Sequence, residues 1–123
     1  MKRNREEDQL QKAVVEWLQV QENLGRLTYF AVPNNPRSAR DGARLKQMGL
    51  RAGTPDLCIL ARSRRPLMIE LKSPKGRLSI DQKIARDRLD ESGCWVAVCR
   101  SFDEVKTVVE NWYFSGFIVT RAA

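Results

Sequence analysis

The chain contains no histidine, and that absence narrows its chemistry more than any other feature of its composition. Ser–His and Cys–His catalysis are excluded, and a catalytic zinc, usually held by imidazoles, is not expected. Cysteine is also scarce. Cys58, Cys94 and Cys99 are odd in number and match no zinc spacing, and Cys58 and Cys99 fall inside apolar, strand-like runs. All three are expected to be reduced and structural. No apolar run approaches the roughly 20 residues of a membrane span. The opening MKRNREEDQLQK lacks a signal peptide's apolar stretch. A cytoplasmic protein without membrane contact is the expectation. Its chemistry must then come from carboxylates, lysine, hydroxyls and a hard, oxygen-loving metal.

At 123 residues the chain suits one domain, residues 1–123, with an ordinary hydrophobic core. Lys and Arg number 22 against 15 Asp and Glu, a net charge of +7. Such an excess favours a polyanionic partner, because each phosphate contact releases counterions.

Residues from about Glu6 to Asn23 predict an amphipathic helix, with Leu10, Ala13, Val14, Trp17 and Leu18 at helical spacing and Gly25 as its stop. Leu27–Val32 predicts a strand closed by Pro33. The segment from Asn34 to Gly53 reads as a loop with a short helix near Ala43–Met48. It carries Arg37, Arg40, Arg44, Lys46 and Arg51 against the single acid Asp41. A solvated surface loop is the bland account of this run. So long and one-sided a connection also suits a phosphate-binding surface.

Two apolar runs follow, Asp56–Ala61 and Leu67–Lys72, separated by Arg62-Ser-Arg-Arg-Pro66. That spacer is long enough for a hairpin and too short for a helical crossover. A helix is expected from Ser79, with Gln82 completing a capping box, to Gly93. Trp95–Cys99 predicts a buried strand. Ser101 and Glu104 predict a second capping box and a helix to about Trp112, and Phe117–Thr120 a last edge strand. The order αβββαβ plus a C-terminal helix implies an α/β domain with a mixed central sheet.

One constellation stands out in this frame. Glu70 and Lys72, two residues apart on a strand, share a face. If the two apolar runs pair as a hairpin, Asp56 lies opposite the end of the second strand, beside both. Two carboxylates and an ammonium then meet at one end of the sheet. Such a pair of acids prefers a divalent cation between them, and a lysine beside it can orient or deprotonate an attacking water. The competing account makes Glu70 and Lys72 solvent-facing positions of an alternating strand. Glu7 lies seven residues before Val14, within roughly 20° of it on the helix, so it leads the core-facing stripe. From there it can reach the same sheet end; helix-dipole stabilisation by Glu6, Glu7 and Asp8 is the alternative.

These residues resemble the PD-(D/E)XK nuclease motif, and their context resembles its VRR-NUC branch. The matching features are Glu7-Asp-Gln-Leu-Gln11, Asn34-Asn35, Gly53-Thr-Pro-Asp56, Ile69-Glu-Leu-Lys72 and Gly76-Arg-Leu-Ser-Ile-Asp-Gln82. The resemblance spans about Glu6 to Val105. It implies a restriction-endonuclease-like core and Mg2+- or Mn2+-dependent hydrolysis of DNA phosphodiesters. Asp56, Glu70 and the carbonyl of Leu71 would hold the metal, with Glu7 directly or through water. Lys72 would position the nucleophile, and Gln82 would support the site. Lys75 and Arg77 would join the basic loop on DNA. Similarity to stand-alone viral members implies a homodimer acting on Holliday junctions or other branched DNA, in the host cytoplasm if the chain is viral. Trp112, Tyr113, Phe114 and Phe117 are then candidate interface residues, or simply the closure of the core beneath the last helix. Two other classes compete. One is a nucleic-acid-binding module that kept this fold without catalysis. The other is an enzyme acting on a small phosphorylated ligand, which the lack of a Gly-rich phosphate loop disfavours.

Overall fold

The structure, a computed structural model, describes residues 4–33 and 37–118. Helix α1 (Arg5–Asn23) opens on Asn4, whose side chain accepts the Glu6 N–H at 2.7 Å. Val14 and Leu18 are wholly buried, with Leu10 and Trp17 packed beside them. Strand β1 (Thr28–Ala31) follows, then α2 (Ala39–Gln47), β2 (Leu57–Leu60) and β3 (Leu67–Leu71). The chain continues through α3 (Ile80–Glu91), β4 (Trp95–Cys99) and α4 (Phe102–Ser115). The sheet order is β1-β2-β3-β4. The first two pairings are antiparallel and β3–β4 is parallel, with α3 as the crossover. This is the mixed sheet that a hairpin leading into strand–helix–strand requires. Among the described residues no helix is long and apolar enough to cross a membrane.

Strand alternation divides the two faces. Leu57, Ile59, Leu67, Ile69 and Leu71 join Val14, Leu18, Val105, Val109 and Trp112 in one core under α1 and α4. The intervening positions turn the other way, towards α3, where Ala85 is buried. Glu70, Val96 and Val98 line a narrow cleft there with Leu78 and Gln82. The cysteines are free, with Cys58 and Cys99 buried. Burial, reinforced by the Glu104 carboxylate, pushes the Cys99 thiol up to about 11, and burial raises Cys58.

Three expectations change. The helix expected at Ala43–Met48 begins four residues earlier and ends one earlier, because Ser38 caps it by accepting the Asp41 N–H at 3.1 Å. Among the described residues α2 buries none of its own and packs on no other element. The Ser101–Glu104 box closes differently: Ser101 accepts the Glu104 N–H, but the Glu104 carboxylate takes the N–H of Arg100 instead of that of Ser101. The aromatic group near the C-terminus is not one surface. Trp112 is fully buried, its indole N–H donating to the Arg65 carbonyl at 2.7 Å. Tyr113 is half-buried, and only Phe114 and Phe117 are exposed. Trp112 therefore closes the core and is not interface material. Of the expected last strand, Phe117 forms an isolated bridge with Arg64, and the part from residue 119 lies outside the described residues.

Candidate active site

The hairpin register pairs Leu57 with Ile69, so Asp56 and Glu70 face each other one step beyond the ladder. Asp56 is fixed from both sides. Its main-chain carbonyl accepts the Val32 N–H at 2.8 Å, extending the β1–β2 ladder. Its carboxylate Oδ2 accepts the N–H of Leu71 at 2.7 Å. That nitrogen belongs to the peptide bond joining Glu70 to Leu71, so the acid sits directly against the Glu70 backbone.

Glu70 is a charged residue in a nearly closed setting, 6% exposed. The surface-strand account of it is thereby excluded. Burying a carboxylate without partners is costly, and the Gln82 side-chain amide supplies one at 2.6 Å to Oε1. Gln82 also completes the expected capping box, its Oε1 accepting the Ser79 N–H at 2.9 Å while its own N–H donates to Ser79 Oγ. One side chain thus caps α3 and hydrogen-bonds Glu70. Gly53 brings the Asp56 turn onto the same helix. Its φ is +79°, and a Cβ there would lie 2.3 Å from the Asp81 carbonyl carbon.

Glu7, in the first turn of α1, reaches the end of β3 from the other face. Its Oε1 accepts the Ser73 N–H at 3.3 Å, a long bond. Leu71 is buried and Lys72 is half-buried, its own N–H donating to the Cys99 carbonyl at 3.0 Å. Glu7, Asp56, Glu70, Lys72 and Gln82 are therefore gathered at one end of the sheet from α1, β2, β3 and α3. Asn34 and Asn35 lie outside the described residues.

The basic residues are all exposed and fall in two stretches of the chain. Arg37, Arg40, Arg44 and Lys46 ride on or before α2, and Arg51 leads into the Gly53 turn. Lys75 and Arg77 follow Lys72. Arg44 is partly engaged, paired with Asp41 at 3.0 Å. Hydrogen bonds from Arg37 and Arg44 hold the Asp41 carboxyl below its ordinary value.

The available donors are carboxylate and carbonyl oxygens, the chemistry of a hard divalent cation, which magnesium sites typically meet with one or two carboxylates and waters. Among the described residues no group of three or more Asp, Glu, Cys or His side chains stands ready for one ion. The oxygen donors brought to this end are the carboxylates of Asp56 and Glu70, the Leu71 carbonyl and, from α1, the Glu7 carboxylate. Two residues escaped the reading of the sequence. Ser73 offers its N–H to Glu7, and Arg100 donates to the carbonyls of Ser73 and Gly76. Both act through main-chain groups, which leave no composition signal.

Comparison with known proteins bears on the fold and the family. No curated protein matches the chain in sequence. A solved structure described as a VRR_NUC domain protein superposes with a TM-score of 0.74 at 26% identity, covering 94% of each chain. A second, described as a VRR_NUC domain, gives a TM-score of 0.61 at 20% identity over 88% of this chain and 98% of that one. It supports the fold alone. The family model of the VRR-NUC domain matches residues 4–103, from the cap of α1 through β4 to the first turn of α4. With that span matched, the chain belongs to the VRR-NUC domain family, a family of nuclease-type fold.

Proposed function

We propose that the protein is a metal-dependent endonuclease that hydrolyses DNA phosphodiester bonds, with a preference for branched DNA. The observation that carries this reading is the Asp56 carboxylate 2.7 Å from the peptide nitrogen between Glu70 and Leu71. It ties one acid to the backbone of the other, at the end of the strand that leads into Lys72. Asp56, Glu70 and the Leu71 carbonyl would hold Mg2+ or Mn2+, and Glu7 would act from the outer position. A bound divalent cation supplies Lewis acidity towards a phosphate and lowers the pKa of water. Lys72 orients the attacking water and offsets charge gathering on the phosphate oxygens. Gln82 keeps Glu70 in place.

The test is a cleavage panel of labelled linear, flap, splayed-arm and four-way junction DNA. Cutting is expected with Mg2+ or Mn2+, lost with EDTA, and fastest on a branched substrate. Binding without cutting under every divalent metal would leave the non-catalytic module. Paired cuts on a junction need two sites, which a two-fold dimer provides. Phe114 and Phe117, both exposed, are the residues left to build its interface, and a monomeric mass by light scattering at micromolar concentration would remove that part of the proposal.

The seven exposed cations read backbone phosphates, not bases. Replacing Arg40 and Arg51 by alanine should weaken binding to unrelated duplexes alike. The plot of log Kd against log salt should flatten by roughly one unit per lost contact. Arg44→Ala should change it less, because Asp41 already offsets that charge. An unchanged slope in the double variant would make α2 a solvated connection.

A further inference from the structure

Lys72 is followed by a turn that lies close to its side chain. The Gly76 N–H donates to the Ser73 carbonyl at 3.0 Å, closing Ser73–Gly76 into a tight turn. Its Cα lies so close to Lys72 that a Cβ on Gly76 would be 3.5 Å from Lys72 Cδ and 2.9 Å from Ser73 Oγ. The lysine stem thus passes within about van der Waals reach of the turn at Gly76. The turn's own strength is slight, one backbone hydrogen bond. What holds it is Arg100, whose Nη1 donates to the Ser73 carbonyl at 2.9 Å and also to the Gly76 carbonyl.

Arg100 is itself anchored. It follows Cys99, whose carbonyl accepts the Lys72 N–H, and its own N–H donates to the Glu104 carboxylate in the first turn of α4. The two peptide groups that flank the Ser73 Cα are each held, the N–H by Glu7 and the carbonyl by Arg100. Arg100 is half-buried, and its Nη1 is committed to main-chain acceptors, unlike the exposed cations around the site. Charge-assisted bonds of this kind hold geometry better than neutral ones.

We infer that Arg100 is a positioning residue: it acts on the reaction through the Ser73–Gly76 turn, by fixing where the Lys72 ammonium stands, and makes no contact with DNA. The inference rests on the nuclease reading above. Two roles would otherwise suit an arginine near such a site, and they separate cleanly. A phosphate contact contributes to affinity and to the salt slope, whereas a positioning residue contributes to turnover and only while Lys72 is present.

The experiment is a double-mutant cycle on the full chain with Mg2+ and a cleavable DNA, comparing wild type, Arg100→Ala, Lys72→Ala and the double variant. Lys72→Ala should lower kcat on the order of a hundredfold. Arg100→Ala should lower it on the order of tenfold or more, with KM, Kd and salt slope unchanged. The double variant should be no slower than Lys72→Ala alone, since residues acting through one group are not additive. Arg100→Lys, whose ammonium can still reach carbonyls, should recover most of the rate. Arg100→Gln, which loses the charge and keeps a shorter stem, supplies the cycle if the alanine variant does not fold. Amide exchange at Gly76 should accelerate in Arg100→Ala. Multiplying effects in the double variant, or a salt slope reduced by about one unit, would place Arg100 on the DNA and overturn the inference. Full activity of Arg100→Ala beside a crippled Lys72→Ala would overturn it while leaving the nuclease reading intact. A wild type that never cuts, or a Lys72→Ala variant at full rate, would fail the nuclease reading itself and the inference with it.

Discussion

Glu70→Gln and Asp56→Asn are each expected to lose at least on the order of a hundredfold in cleavage rate while remaining folded and bound to DNA. The argument rests on what each substitution keeps. Gln at position 70 has the shape of Glu and can still present an oxygen to the Gln82 amide, now 2.6 Å away. Asn at position 56 can still accept the Leu71 N–H, so the hairpin end stays closed. Only the negative charge goes. For Glu70, 6% exposed, losing a buried charge removes a desolvation cost, so the melting temperature should hold or rise. Binding to DNA should hold or tighten, because one repulsive charge near the phosphates has gone. Asp56→Ala makes the contrast: it strips the acceptor as well, leaving the Leu71 N–H unsatisfied at a cost of about 1–3 kcal/mol. Single-turnover cleavage, filter binding and thermal melting separate these outcomes. Near-normal cutting by either isosteric variant would remove that residue from the site.

The sequence was most readable where a side chain's place follows from strand or helix period. Glu70 and Lys72 share a face because they are two residues apart, and Asp56 reaches them because a five-residue spacer forces a hairpin. Glu7 leads the buried stripe of Val14 and Leu18 because seven residues nearly complete two turns. Reading failed where the partner is main chain or distant. The start of α2 was missed because its apolar content is low and its signal is a cap, Ser38 on Asp41, standing before the expected turn. Trp112 looked available for an interface because its neighbours Tyr113 and Phe114 are aromatic too. Helical geometry nevertheless sends residue 112 inward with Val105 and Val109, and residue 114 out. Arg100 belongs to no motif in the sequence; its partners lie 27 and 24 residues back and are carbonyls.

Gly53→Ala should be damaging well beyond the single methyl it adds, and comparison with Gly49→Ala shows why. Both glycines have left-handed backbones, with φ of +79° and +104°, so both variants carry the cost of an L side chain there, about 1–2 kcal/mol. Their surroundings differ. Nothing lies within 4 Å of a Cβ at Gly49, whereas at Gly53 it would meet the Asp81 carbonyl carbon and oxygen at 2.3 Å and the Gln82 nitrogen at 2.6 Å. Those are backbone atoms of the first turn of α3, pinned by the Ser79–Gln82 box, and cannot swing aside like a side chain. The turn or the helix must move. Either movement draws Asp56, three residues on, away from the Gln82 that braces Glu70. A total loss on the order of 3 kcal/mol is expected for Gly53→Ala, seen as a melting temperature lower by roughly 10 °C. Cleavage should fall further than the folded fraction explains, measured at a temperature where the variant is fully folded. Gly49→Ala should lose about half as much stability or less and keep its cleavage rate. Equal losses in the two variants would mean that backbone strain alone accounts for Gly53, and that its approach to α3 has no part in aligning Asp56 with Glu70.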